Sequence, residues 1–69
     1  MKDEEFRSIV DDITGVILES MVIDFKITES TAIRKFYSSK IYENLSNADS
    51  LLWQKPWQEV YGMFKKEFY

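Results

Sequence analysis

The chain has 69 residues, of which 30% are charged and 45% hydrophobic, and its net charge is −3. This length allows one domain, residues 1–69, and this composition is typical of a folded chain rather than a disordered one. The sequence has no cysteine and no histidine, which excludes disulfides and removes the usual ligands of zinc and iron. We therefore expect no cofactor and no metal, and a small core that needs dense aromatic packing or a partner chain.

Charge is distributed unevenly along the sequence. Residues 1–25 contain seven acidic and two basic side chains, whereas residues 26–45 contain four basic and two acidic ones. The two segments can pair within one chain or between chains, or they can be separate solvated faces. The opening MKDEEF is acidic, unlike a signal peptide, and no apolar run is long enough for a membrane span. We expect a cytoplasmic protein with no membrane contact.

A first helix is predicted over residues 3–24. Its apolar side chains recur at helical spacing: Phe6, Ile9, Val10, Ile13, Val16, Ile17 and Met21. Gly15 lies inside this helix, where glycine costs about 1 kcal/mol relative to alanine, and either allows a close helix crossing or has no role. The apolar stripe widens over residues 16–25, which predicts that a second copy of the chain or the last helix packs against this part of the first helix.

Two shorter helices are predicted next, over residues 29–38 and 40–46. Thr28 is a suitable N-cap for the first of them, and Ile27 with Ala32 fits a hydrophobic staple. Ser38 and Ser39 interrupt the apolar pattern, and either hydroxyl can cap the short helix that follows.

The last helix is predicted over residues 56–68, after a polar turn. Pro56 suits the first helical position, and apolar side chains then recur at helical spacing: Trp57, Val60, Tyr61, Phe64 and Phe68. The expected core aromatics are Phe36, Trp57, Tyr61 and Phe64. The predicted fold is all-α, a compact bundle of three to four helices.

Catalytic motifs are missing from the sequence. The only glycines are Gly15 and Gly62, so there is no glycine-rich phosphate loop. Without histidine or cysteine the usual nucleophile–base pairs are unavailable. Asp11, Asp12 and Glu19 form a possible carboxylate site, but solvated surface acids are the simpler interpretation. We expect a protein that is not an enzyme.

DNA binding is the alternative function. Residues 28–46 predict two short helices joined by a serine turn, as in a small helix-turn-helix-like regulator, and the possible DNA contacts are Arg34, Lys35, Lys40 and Asn44. The net charge is negative and the basic patch is small, which argues against a nucleic-acid partner because phosphate contacts dominate such affinity.

Several short motifs resemble a family of small bacterial helical proteins of unknown function. They are Ile27-Thr28 with Ala32, then FYSSKIYENL over 36–45, Leu52-Trp53, and Pro56-Trp57 with Val60-Tyr61. The likeness covers about residues 9–66, although Lys55 stands where the pattern has serine. The resemblance implies an antitoxin-like or accessory partner of a neighbouring gene product. It assigns no functional residues to this chain.

The function expected from these observations is a non-catalytic protein–protein interaction module. Its partner is a second copy of the chain, in a homodimer, and/or another bacterial protein. Large aromatic side chains are common at interface hot spots. Polar turns, the chain end and the widened apolar stripe supply the candidate interface residues: Val22, Phe25, Tyr42, Trp53 and Tyr69.

Overall fold

The computed structural model describes residues 3–68 of the chain. Over these residues the secondary structure is entirely helical, with no strand. The α-helices are α1 (Asp3–Phe25), α2 (Glu29–Tyr37), α3 (Lys40–Leu45) and α4 (Trp57–Phe68). Two short 3₁₀ turns, Ala48–Ser50 and Leu52–Gln54, lie between α3 and α4. The predicted all-α bundle of three to four helices is confirmed, and each helix boundary lies within one residue of its predicted position.

The inner side of α1 supplies much of the core. Val10, Ile13, Ile17 and Met21 are all buried, and their spacing of three or four residues places them on one face of the helix. The helix ends at Lys26, whose φ of 56° is left-handed and therefore cannot continue the helix. This turn redirects the chain so that α2 packs back on α1.

Hydroxyl side chains begin and end the short helices. The Thr28 side chain accepts a hydrogen bond from the Thr31 backbone N–H at 3.2 Å, which confirms Thr28 as the N-cap of α2. Ser39 caps α3 by accepting from the Tyr42 N–H at 3.1 Å, and it donates to the Phe36 carbonyl at 2.6 Å. Ser38 instead ends α2, where its hydroxyl donates to the Arg34 carbonyl.

The start of α3 is also held by a side chain from α4. Both carboxylate oxygens of Glu67 accept backbone hydrogen bonds, from the Lys40 N–H at 2.8 Å and from the Ile41 N–H at 3.1 Å. A carboxylate at this position satisfies two amides that have no partner inside the helix. Glu67 therefore ties α4 to the six-residue helix α3.

The core is closed by aromatic side chains from α2 and α4. Phe36 is fully buried, and its ring lies 5.2 Å from the Phe64 ring in an edge-to-face arrangement. Tyr61 is also buried, as predicted, and its hydroxyl donates to the Asp24 carboxylate at 2.7 Å. Trp57 is not a core residue, contrary to the prediction, because it occupies the first turn of α4 and stays half-buried against Tyr61.

The entry into α4 differs slightly from the predicted one. The helix begins at Trp57, and the Pro56 carbonyl accepts from the Glu59 and Val60 N–H groups at 3.0 and 3.3 Å. Pro56 therefore precedes the first helical residue. Lys55, which stands where serine was expected, pairs with Glu59 at 3.6 Å on the exposed surface.

Candidate functional site

The side of α1 that faces away from the core forms an open groove of about 620 Å³. We call it the α1 groove. Its small and apolar lining comes from one helix face: Gly15, Val16, Leu18, Val22 and Ile23. The buried residues of α1 lie on the opposite face of the helix. Leu18 and Val22 are half-buried and pack against the core, whereas Val16 and Ile23 are exposed.

The rest of the α1 groove is acidic. Four exposed carboxylate side chains line it, and no lysine or arginine is among its lining residues: Asp11, Asp12, Glu19 and Glu29. Glu29 comes from the first turn of α2, so the acids belong to two helices. Within residues 3–68, no group of three or more aspartate and glutamate side chains is placed to hold a metal ion.

Two large apolar side chains of the α1 groove are open to solvent. Ile23 is 69% exposed and Val16 is 37% exposed. Periodicity placed Val16 in the core stripe, but it lies one residue before the fully buried Ile17, a rotation of about 100° around the helix axis. Val22, a predicted interface residue, lies in the groove and is half-buried.

Gly15 leaves a gap in the middle of this face. Among residues 3–68, no atom outside the local helix backbone lies within 4 Å of a Cβ atom added at Gly15, and Gly15 does not have a positive φ. Neither packing within the chain nor backbone geometry therefore requires glycine there. The missing side chain lowers the helix surface between the neighbouring acids and Val22.

The remaining predicted interface residues do not join the α1 groove. Phe25 is half-buried and packs against the core. Trp53 is half-buried, and its ring is perpendicular to the Phe6 ring with the centroids 5.4 Å apart. Its indole N–H donates to the Ala48 carbonyl at 2.9 Å. Tyr69 lies outside the described residues.

Tyr42 packs against two other rings. It stacks on Tyr37 with centroids 4.5 Å apart, and it lies 5.5 Å from Phe36. Burial raises the pKa of the Tyr37 hydroxyl, and Tyr42 and the Asp11 carboxylate raise it further. The Tyr37 side chain, which is 49% exposed, therefore stays a neutral phenol at physiological pH.

The possible DNA contacts lie around the α2–α3 junction. Arg34 and Lys35 line a depression that also contains Glu67, and the Lys40 backbone is bonded to that same carboxylate. Asn44 is exposed on α3, which has six residues, fewer than two turns. The acidic Glu67 side chain thus lies among the predicted basic contacts.

Comparison with known proteins adds no family to this description. No protein-family model, curated protein or solved structure matches the chain. Among the residues that the structure describes, no helix combines the length and the apolar character that crossing a membrane would require.

Proposed function

We propose that this chain is a non-catalytic protein–protein interaction module and that another protein docks in the α1 groove. The observation that carries this proposal is the apolar lining of the α1 groove, in which Ile23 is 69% exposed and Val16 is 37% exposed. Single exposed apolar side chains are common on protein surfaces, whereas apolar side chains gathered in one concave site favour binding.

The position of Gly15 supports a protein partner rather than a small ligand. Glycine in an exposed helix interior costs about 1 kcal/mol relative to alanine, and no contact within the chain compensates for it. A second backbone that approaches α1 closely would use the space that a side chain would fill. The resemblance described above would make this partner the product of a neighbouring gene, as for an antitoxin-like or accessory protein.

The test is a capture experiment with matched variants. The tagged chain is incubated with a lysate of the organism that encodes it, alongside Ile23→Glu and Ile33→Glu. Ile33 is 41% exposed on α2, outside the α1 groove, so the same isoleucine-to-glutamate change is made at two different exposed places. We expect one protein to be retained by the wild type and by Ile33→Glu and to be lost with Ile23→Glu.

If the wild type and both variants retain the partner equally, the interface lies outside the α1 groove. If none of them retains a specific protein, the proposal of an interaction module is wrong. Circular dichroism melts of both variants verify that the loss with Ile23→Glu does not come from unfolding.

A further inference from the structure

We infer that the occupant of the α1 groove is an amphipathic helix that carries lysine or arginine on both sides of an apolar stripe. The inference rests on the proposed function and names the chemistry of the partner.

The charge of the groove selects the charge of the partner. The lining includes four carboxylates and no basic side chain, and all four carboxylates are exposed. A partner with basic flanks is attracted to this surface, and an acidic partner is repelled. The interaction is strongest at low salt, because exposed charges are screened beyond about 8–10 Å at physiological ionic strength.

The shape of the groove selects a helix. The lining residues extend along α1 from Asp11 to Ile23, which is about 18 Å at 1.5 Å per residue. This length matches about three turns of a second helix lying along α1. Gly15 provides the point of closest approach, and apolar side chains of the partner at positions i, i+3, i+4 and i+7 would contact Val16, Val22 and Ile23.

A second copy of the chain fits this groove less well. Symmetric pairing through the α1 groove would bring together two surfaces that each carry four carboxylates. Like charges placed in this way oppose association. The electrostatics therefore favour a different protein as the occupant, and self-association becomes an outcome that the experiment must detect.

The probe is a fluorescein-labelled synthetic helix of about 18 residues, long enough to lie along the whole groove. It has an alanine and leucine stripe flanked by lysine and arginine. Two matched peptides keep its length: one replaces the basic flanks with glutamate, and the other keeps the composition but scrambles the stripe. Fluorescence anisotropy at low and physiological salt measures the binding of each to the full chain.

Two double variants locate the binding site of the probe. Asp12→Asn with Glu19→Gln removes two carboxylates from the groove, and Glu43→Gln with Asp49→Asn removes two exposed carboxylates elsewhere. We expect the basic helix to bind at least about tenfold more tightly than the acidic one. The groove variant should weaken that binding and flatten its salt dependence, whereas the control variant should leave both unchanged.

Ile23→Ser separates the failure of this inference from the failure of the proposed function. If acidic and basic helices bind equally and both are weakened by Ile23→Ser, docking in the groove stands and the basic partner is wrong. If no helix is affected by Ile23→Ser, the groove is not the docking surface and both proposals fail.

Two further outcomes overturn the inference. If the scrambled peptide binds as tightly as the basic helix, the groove attracts basic peptides by charge alone and does not act as an apolar docking surface. Sedimentation equilibrium that detects a dimer, abolished by Ile23→Ser, would identify a second copy as the occupant.

Discussion

The hydroxyl of Thr14 is buried without a hydrogen bond to any described residue. The residue is 5% exposed, and its Oγ1 atom has no hydrogen-bond partner among the described residues. An unsatisfied hydroxyl in an apolar site costs about 1–3 kcal/mol. Such an atom is invisible in the sequence, because threonine inside a helix usually bonds its own backbone or faces solvent.

Thr14→Val is therefore expected to stabilise the fold. Valine has nearly the same shape and a similar helix propensity, so the substitution removes the hydroxyl and leaves the packing intact. We expect the free energy of unfolding in urea to rise by about 1 kcal/mol. Thr31→Val is the matched control, because the Thr31 hydroxyl accepts from the Thr28 hydroxyl at 2.9 Å. That variant should be neutral or slightly destabilised, and a loss of stability with Thr14→Val would contradict the assignment.

Helix α1 contains a glycine whose effect on folding differs from its expected effect on binding. Gly15 in α1 and Gly62 in α4 both have open space at the position that a methyl group would occupy. Alanine at either position should raise the free energy of unfolding by about 1 kcal/mol, since alanine is the better helix former. Only Gly15→Ala should also weaken the binding of the basic peptide, because Gly15 lines the α1 groove and Gly62 does not. Anisotropy titrations of both variants measure this, and equal peptide affinity in both would remove Gly15 from the interface.

Helix α3 depends on a side chain from α4. Glu67 accepts hydrogen bonds from the Lys40 and Ile41 amides, and a six-residue helix has little stability of its own. Glu67→Ala should lower the free energy of unfolding by about 1–2 kcal/mol, the usual effect of removing an N-terminal cap. Glu43→Ala, which removes an exposed acid within α3, should have a smaller effect. If the two variants lose equal stability, the Glu67 bonds contribute little.

Local sequence signals predicted the helices well and the surfaces less well. The Thr28 and Ser39 caps act on amides three residues away. Short-range chemistry identified Thr28 and narrowed the cap of α3 to Ser38 or Ser39. Glu67 acts on residues 26 and 27 positions earlier, a distance that no periodicity reveals. The left-handed Lys26 and Leu51 were missed because the usual signal for that conformation is glycine. Ile23 was not distinguished from Val22, since both widen the same apolar stripe.

The whole molecule has little stability to spare. Domains typically gain roughly 0.05–0.15 kcal/mol per residue, which gives about 3–10 kcal/mol for a chain of this length. Phe36 is fully buried and contacts the rings of Tyr42 and Phe64 from other helices, so it joins three helices in one core. Phe36 therefore contributes to the packing of α2, α3 and α4 at once.

Phe36→Ala is expected to remove a large part of the free energy of unfolding. Truncating a buried phenylalanine costs about 3–5 kcal/mol, which is comparable to the whole stability of a domain this small. Circular dichroism melts should show a melting temperature far below that of the wild type. Tyr37→Ala, at a neighbouring ring that is 49% exposed, should stay folded with a lower melting temperature. A cooperative melt of Phe36→Ala near that of the wild type would contradict this account.

The Glu67 bonds also fix an order in which the structure can be completed. A ribosome adds Glu67 26 residues after Ile41, so α3 lacks its N-terminal cap while the intervening chain is being made. During synthesis α1 and α2 can pair early, because they are adjacent in the chain and pack directly on each other. Every lining residue of the α1 groove belongs to α1 or to the first turn of α2. A partner helix that binds this groove would therefore not need α3 and α4 to be in place.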